Sequence, residues 1–436
     1  MKDTFNLTII GTGFVGVVSA AVYAKLGHQV YGLDIDEKKI ELLKNSQVPF
    51  YEPGLEELLL QTQKTNRLKF TTSYEEAIKD ADVIMIAVGT PSAPSGNADL
   101  KYVLAASKSL APYLKEGAIV AVKSTVPPGT LEQVKAVIDP LTSVKYHLAS
   151  LPEFLKEGSA VEDTLHPDRV VIGAEAPEVF EVLEALHQPL KAPIVKVKPA
   201  SAQMAKYSAN AYLATRITFA NQVADLCEKN GADVDEVIEA MGYDKRIGHH
   251  YWYPGFGYGG SCFPKDVKEL AAYSRTVGEA NNLFNKIDEL NEARIPKLVN
   301  QYDKLVGGFK AKKVAVLGLS FKPNTNDMRV APSTKLVPLL IEKDALVLGY
   351  DPEANWLEFG LPNFESFSQV DSIEKAAKGA DVIFVLIEWP EIINFDYSLV
   401  RDKAKTQWLI DARNQLNPAQ VKSWGFEYVG VGKGGV

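Results

Sequence analysis

The chain has 436 residues, 46% hydrophobic and 23% charged, with a formal charge of −8. That length exceeds one ordinary core, and the balance excludes disordered, collagenous and coiled-coil proteins. No run approaches the roughly 18–20 apolar residues of a membrane span, and an acidic chain offers no general field for nucleic acid or anionic lipid. The start, Met1-Lys2-Asp3-Thr4, enters a strand-like run at once, and two cysteines cannot build a disulfide framework. Both features predict a cytoplasmic protein, and no metal-ligand pattern is present.

Phe5 to Ile10 reads as a buried strand, followed by Gly11-Thr12-Gly13-Phe14-Val15-Gly16, an Ala/Val-rich helix ending at Gly27, and a second strand over Val30–Leu33 closed by Asp34. In this unit Gly11 permits the tight turn, Gly13 lets a pyrophosphate approach the backbone, and Gly16 lets helix and strand pack. The helix start presents unpaired N–H groups to phosphates. Asp34 lies 18 residues after Gly16, where a carboxylate accepts from a ribose 2′-hydroxyl and repels a 2′-phosphate. NAD is therefore expected rather than NADP. Further buried strands over 81–88 and 117–122 run into Thr90 and Thr125, at the carboxyl ends where a doubly wound sheet binds ligands.

Next come Glu153 and Glu157, which can share a face and act as base or water-positioner; on their own they are ambiguous. From Ser201 to Asn230 the chain is helix-compatible, and about 45 Å of helix can join two domains and offer an oligomer face. Lys206 and Asn210 fall at i and i+4 on it, a cation and an amide that can meet one developing oxyanion. Cys262 comes after a glycine-rich stretch, Gly255-Phe256-Gly257-Tyr258-Gly259-Gly260-Ser261, and precedes Phe263-Pro264-Lys265-Asp266. Pro264 suits a first helical turn, which places the thiol at a helix N-terminus beside Lys265, where thiolate is favoured. Asp266 is near enough to handle a proton. Cys227 has no such setting and reads as a buried thiol.

The strand pattern then returns at 313–318, 346–351 and 380–386. Gly318 leads into Leu319-Ser320-Phe321-Lys322-Pro323, so the second and third glycines are missing and bulk with a cation takes their place. This second Rossmann-like half is expected to bind something phosphorylated other than NAD. The fold expected is α/β: two doubly wound domains, 1–200 and 306–436, joined by a long central helix within a helical dimerisation segment, 201–305.

The strings Gly259-Gly260-Ser261-Cys262-Phe263-Pro264-Lys265-Asp266 and Phe321-Lys322-Pro323-Asn324-Thr325 are specific. Together with Pro49–Leu55, Ser124-Thr125-Val126-Pro127, Pro152-Glu153-Phe154-Leu155 and His166–Gly173, they make the chain resemble the nucleotide-sugar 6-dehydrogenases, the UDP-glucose/GDP-mannose dehydrogenase family, and most closely its members acting on UDP-glucose. The resemblance implies oxidation of UDP-glucose to UDP-glucuronate by two NAD⁺ through a Cys262 thiohemiacetal and thioester. It implies oxyanion roles for Lys206 and Asn210, and proton and water handling by Asp266, Glu153 and Thr125. Asp34, Lys39, Val88, Thr90, Ser124, Thr125, Glu157, Lys265 and Arg329 would face the cofactor. Glu153, Phe154, Leu155, Glu157, Tyr251, Tyr253, Gly255, Gly259, Phe321, Lys322 and Arg413 would face the substrate, and Arg246 would reach the site of a partner in a homodimer. Leu151, the aromatic run His250–Tyr253 and Ala412 depart from the family pattern and bear on which sugar is used. GDP-mannose or a UDP-N-acetylhexosamine are the alternative substrates. A single-hydride β-hydroxyacid dehydrogenase is a further alternative, which Cys262 and the second half argue against; a non-catalytic nucleotide-sugar sensor is a third, which Cys262 argues against.

Overall fold

The computed structural model describes residues 4–434. They divide into two compact units, one comprising the chain through Ala209 together with Glu269–Ala280, the other Asn210–Lys268 together with the chain from Asn281 onward. The stretch 201–305 is thus shared between units, and the divisions fall inside the helices Pro199–Asn230 and Phe263–Thr276.

The first unit holds strands β1 (Asn6–Ile10), β2 (Gln29–Leu33), β3 (Leu68–Thr71), β4 (Val83–Ile86), β5 (Ile119–Val122), β6 (His147–Ser150), β7 (Val170–Gly173) and β8 (Ile194–Val197). They pair in the order β3-β2-β1-β4-β5-β6-β7-β8, with β6–β7 the antiparallel pair and the others parallel. The second unit holds β9 (Lys313–Leu317), β10 (Leu346–Tyr350), β11 (Phe367–Gln369), β12 (Val382–Val385), β13 (Trp408–Asp411) and β14 (Glu427–Gly430). Their order, β11-β10-β9-β12-β13-β14, repeats that of the first six strands, and all pairs are parallel. These are two doubly wound α/β sheets, as expected.

Strand residues alternate between two cores because successive side chains point to opposite faces. Ile9, Val83 and Met85 pack in one cluster of the first unit, while Ile10, Ile84 and Ile86 pack in the other. The second sheet copies this: Val314, Val316 and Phe384 lie on one side, Ala315, Leu317, Ile383 and Val385 on the other. Both faces being covered, the strands read as continuous apolar runs, which is why they were visible in sequence.

The strand order reverses between β1 and β4 and again between β9 and β12, and there the two units use the same bonds. Gly11 N–H donates to Leu33 O at 2.7 Å and Ala87 N–H to Ile10 O at 2.8 Å; Gly318 N–H donates to Tyr350 O and Leu386 N–H to Leu317 O, each at 2.8 Å. The helix Phe14–Lys25 starts directly after the first crevice, whereas Gly318 is succeeded by a long loop before the helix Pro332–Glu342. Among the described residues no helix is long and apolar enough to cross a membrane, and no cluster of three or more His, Cys, Asp or Glu could hold a metal.

In the first unit, His187 is buried with Nε2 at 2.8 Å from Tyr23 Oη and Nδ1 at 2.6 Å from Leu183 O. Burial pushes its pKa down to about 4, against the opposing hydrogen bond to the Leu183 carbonyl. The unfolded chain binds that proton more readily, so stability falls as pH drops from about 6.5 to about 4. The loss should reach roughly 3 kcal/mol; urea midpoints across that range should show the slope, and His187→Gln should reduce it.

Candidate active site

The dinucleotide loop is built as its glycines require. A side chain at Gly16 would collide with Gly11 O, whereas a Cβ at Gly13 meets nothing within 4 Å, so the backbone there lies open to a ligand. Gly13 caps the helix Phe14–Lys25 without any side-chain bond, leaving its first N–H groups for phosphate oxygens. Phe14 packs on Phe50 at 4.8 Å between centroids, and Val15 continues the first turn. Asp34, just past β2, accepts from Thr12 N–H and Thr12 Oγ1 at 2.8 Å each and from Asp36 N–H at 3.1 Å. Burial pushes the Asp34 pKa up, but these hydrogen bonds and the nearby Lys39 outweigh it and hold the carboxyl below its ordinary value. Across the crevice, Thr90 Oγ1 donates to Thr125 O at 2.9 Å and Ser124 Oγ to Val88 O at 2.6 Å, which locks the ends of β4 and β5 together. An open cradle at a helix start beside an ionised carboxylate fits NAD.

In the same unit Lys206 Nζ donates to Glu153 Oε1 at 2.9 Å, with side chains only 5% and 9% exposed. Glu153 Oε2 accepts from Leu155 N–H at 2.7 Å. Lys206 also lies 5.5 Å from the centroid of the Phe154 ring, whose other cation, Arg169, is at 3.6 Å. The expectation that Glu153 and Glu157 share a helical face is corrected: residues 151–156 have no regular structure. Pro152 discourages a helix at Leu151, and the Glu153 side chain folds back onto its own loop instead. Glu157 is buried. The loop is held by a residue not singled out by its chemistry, Glu52, which accepts from Gly158 N–H and Ala160 N–H at 2.6 Å each. Its only trace in sequence was the Pro49–Leu55 string.

In the second unit Cys262 occupies the start of the helix Phe263–Thr276, where its carbonyl accepts from Asp266 N–H at 2.8 Å. The thiol is exposed and lies 3.5 Å from Ser261 Oγ, while Cys227 is buried. Asp266 is 1% exposed and has both oxygens engaged, Oδ2 by Asn210 Nδ2 at 2.5 Å and Oδ1 by Lys265 Nζ at 2.6 Å. Lys206 and Asn210 sit one turn apart on the helix Pro199–Asn230, and each reaches a buried carboxylate.

The glycine-rich loop before Cys262 is clamped by residues that sequence reasoning missed. Gly255 N–H donates to Asn221 Oδ1 at 2.8 Å, and Gly255 O accepts from Arg294 Nε at 2.9 Å. Asn291 takes Tyr258 N–H at 2.8 Å and gives its amide to Tyr258 O at 3.1 Å. Gly260 has φ +85 with the Phe321 ring 2.7 Å from where a Cβ would sit, so only glycine fits. The carbonyl of Val330 presses in the same way on Gly259. Tyr251 has φ 65 and packs near Tyr253, 5.3 Å between centroids. Arg413 lies against Gly255 and pairs with Glu388 through Nε at 2.6 Å and Nη2 at 2.8 Å. Lys322 Nζ lies 5.3 Å from the Phe321 ring and acts on Glu388. Arg329 pairs with Asp327, and Arg246, 89% exposed, with Asp244.

Two Rossmann-type units, the first with an open cradle for a dinucleotide at a helix start, define a nicotinamide-dependent dehydrogenase. The chain belongs to the UDP-glucose/GDP-mannose dehydrogenase family: residues 5–191 match its NAD binding domain, 200–293 its central domain and 315–418 its UDP binding domain. It is 40% identical to a UDP-glucose 6-dehydrogenase of Bacillus subtilis, covering 98% of both chains. A UDP-glucose 6-dehydrogenase of Pseudomonas aeruginosa is 39% identical, over 98% of this chain and 97% of that one. Among solved structures, a UDP-glucose dehydrogenase from Pyrobaculum islandicum aligns with a TM-score of 0.91 at 37% identity, covering 98% of each chain. A UDP-D-ManNAc dehydrogenase from Pyrococcus horikoshii aligns at 0.87 with 28% identity, over 99% of this chain and all of that one.

Replacing Asn291 by Ala leaves a buried N–H and a buried carbonyl of Tyr258 unpaired. The expected cost is about 2–4 kcal/mol of stability, read as a lowered denaturant midpoint at unchanged m-value.

Proposed function

We propose that the chain oxidises UDP-glucose to UDP-glucuronate with two NAD⁺ and one water. The observation that carries this reading is the exposed Cys262 thiol at a helix start, four residues before a buried Asp266 that Asn210 and Lys265 hold. One hydride transfer needs no added nucleophile; a second does, because an aldehyde carbon must gain one before it can lose hydride again, and an exposed thiol can supply it. Bound NAD⁺ supplies the hydride acceptor, once for the alcohol and once, as a second molecule, for the thiol adduct. Asp34, Thr12, Gly13 and the start of the first helix would hold it, with Lys39, Val88, Thr90, Ser124 and Thr125 along its length and Glu157, Lys265 and Arg329 beside it.

Glu153 takes the hydroxyl proton of the sugar, directly or through Thr125 and water. The Cys262 sulfur, deprotonated, forms a bond to the aldehyde carbon, and Lys206 and Asn210 stabilise the resulting oxyanion. After the second oxidation the carbon is a thioester. A water positioned by Asp266 adds to it, the carbon–sulfur bond breaks, and carboxylate and thiol are released. Phe154, Leu155, Tyr251, Tyr253, Gly255, Gly259, Phe321, Lys322 and Arg413 would hold the UDP-sugar.

A homodimer belongs to the same proposal. Tyr212, Phe219 and Leu226 recur every seven residues on the long helix and are 60%, 49% and 62% exposed, an apolar stripe that a second copy would cover. Exposed Arg246, now paired with Asp244, would reach out of its own subunit. One buried and one exposed cysteine, neither in a disulfide, suit a reducing cytoplasm.

Purified protein should form two NADH per UDP-glucose consumed; a ratio of one removes the thiol mechanism. Cys262→Ser should retain NAD⁺ binding and lose steady-state turnover, and full turnover in that variant would overturn the assignment. Charging the stripe with Phe219→Glu and Leu226→Glu should halve the mass seen by light scattering.

A further inference from the structure

Lys123 directly follows β5, and its side chain enters a cavity of the first unit that also reaches Ser19, Tyr23, Glu153, Arg169 and His187. The residue is 8% exposed. Among the described residues its ammonium makes no hydrogen bond and no ion pair. A buried cation without a partner is costly to keep, and no step of the proposed reaction employs it.

Its electrostatic surroundings suggest what it does. Burial above all lowers its pKa to about 8, with Glu153 opposing the shift and Lys206 adding to it. Tyr23 and His187 face it from their helices, and both are neutral at that pH, since burial holds His187 down and Tyr23 up. Asp168 and Arg169 border the cavity with opposite charges, Lys156 pairs with Asp163 at 2.9 Å, and His166 is exposed. One carboxylate, Glu153, thus serves two ammoniums: Lys206 holds its Oε1 directly, and Lys123 acts on it through the cavity. Glu153 must be ionised to take the hydroxyl proton, and if Lys206 turns to the substrate oxygen at that moment Glu153 would be a charge without its direct partner, unless a second cation stands by.

We propose that Lys123 is a positioning residue, the standing counter-charge of Glu153, which frees Lys206 to serve the substrate's oxyanion. The inference rests on the proposed catalytic roles of Lys206 and Glu153.

Two variants of Lys123, the pH profile of the parent and an NMR titration in two further variants test it. Lys123→Met should lower kcat roughly tenfold or more, with NAD⁺ affinity unchanged and a thermal midpoint at or above that of the parent, because an uncompensated buried ammonium is gone. A merely structural lysine would instead lower the midpoint. In the parent, kcat should decline as pH rises through about 8, where Lys123 deprotonates; Lys123→Arg, which cannot deprotonate in that range, should restore activity and abolish the decline. Parent-like kcat and pH profile in Lys123→Met overturn the proposal, as does an unaltered decline in Lys123→Arg if the Met variant fails to fold. Independently of turnover, ¹³C NMR of labelled lysines should show the Lys123 midpoint moving down in Glu153→Gln and up in Lys206→Met. If the parent turns over no nucleotide sugar, the functional reading fails, and this titration alone decides the charge coupling: an unmoved midpoint in both variants overturns it.

Discussion

A carboxylate taken out of water must be given hydrogen bonds for its oxygens, and this requirement fixes nearly every functional segment of the chain. Asp266 is held by Asn210 and Lys265, Glu153 by Lys206 and Leu155 N–H, and Asp34 by Thr12 and Asp36 N–H. Glu52 fastens the loop just after Glu157, and Asp225 fastens Arg294, which in turn holds Gly255. Each bond is local in energy and long-range in effect, because most of these acids take a donor from a distant part of the sequence. Removing one partner leaves the other buried and unpaired, so these contacts define positions more sharply than apolar packing does.

The two sheets show one solution used twice. Asp34 past β2 gathers Thr12; Asp351 past β10 gathers Leu319 N–H, Ser320 N–H and Ser320 Oγ within 2.9 Å. In each case an acid at the end of the second strand pins the turn that leaves the first. Beyond that turn the two units diverge. Behind Gly11 a helix begins at once and presents bare backbone, as a pyrophosphate requires. Behind Gly318 the chain runs through Phe321 and Lys322, and the Phe321 ring is spent on Gly260 while Trp389 Nε1 donates to Ser320 Oγ at 3.1 Å. The duplicated frame therefore carries two different loops.

Much of this was legible because it is local. The strands announced themselves as unbroken apolar runs, the first loop by its glycine spacing, Lys206 and Asn210 by their four-residue interval, and Cys262 by Pro264 behind it. The clamps on the glycine loop were not legible. Asn221, Asn291 and Arg294 sit on helices where an amide or a guanidinium reads as an ordinary surface residue, and only the folded chain shows that each holds backbone of the glycine-rich loop. The Glu153–Glu157 interval misled for the opposite reason: a spacing that suits a helix carries no weight where Pro152 disfavours one and where the side chain prefers its own loop.

The net charge of −8 bears on how the second unit can take a diphosphate. Several of its cations are already engaged: Arg413 with Glu388, Arg329 with Asp327, Arg246 with Asp244 and Lys265 with Asp266. A free guanidinium would bind phosphate strongly but would first have to be ordered; one gripped by a carboxylate is already oriented. The Glu388 carboxyl is held below its ordinary pKa, burial being outweighed by Arg413 and then Lys322, so the pair stays charged at neutral pH. Arg413 thus stands oriented and charged against Gly255, and the cost of ordering its side chain is met within the fold by Glu388.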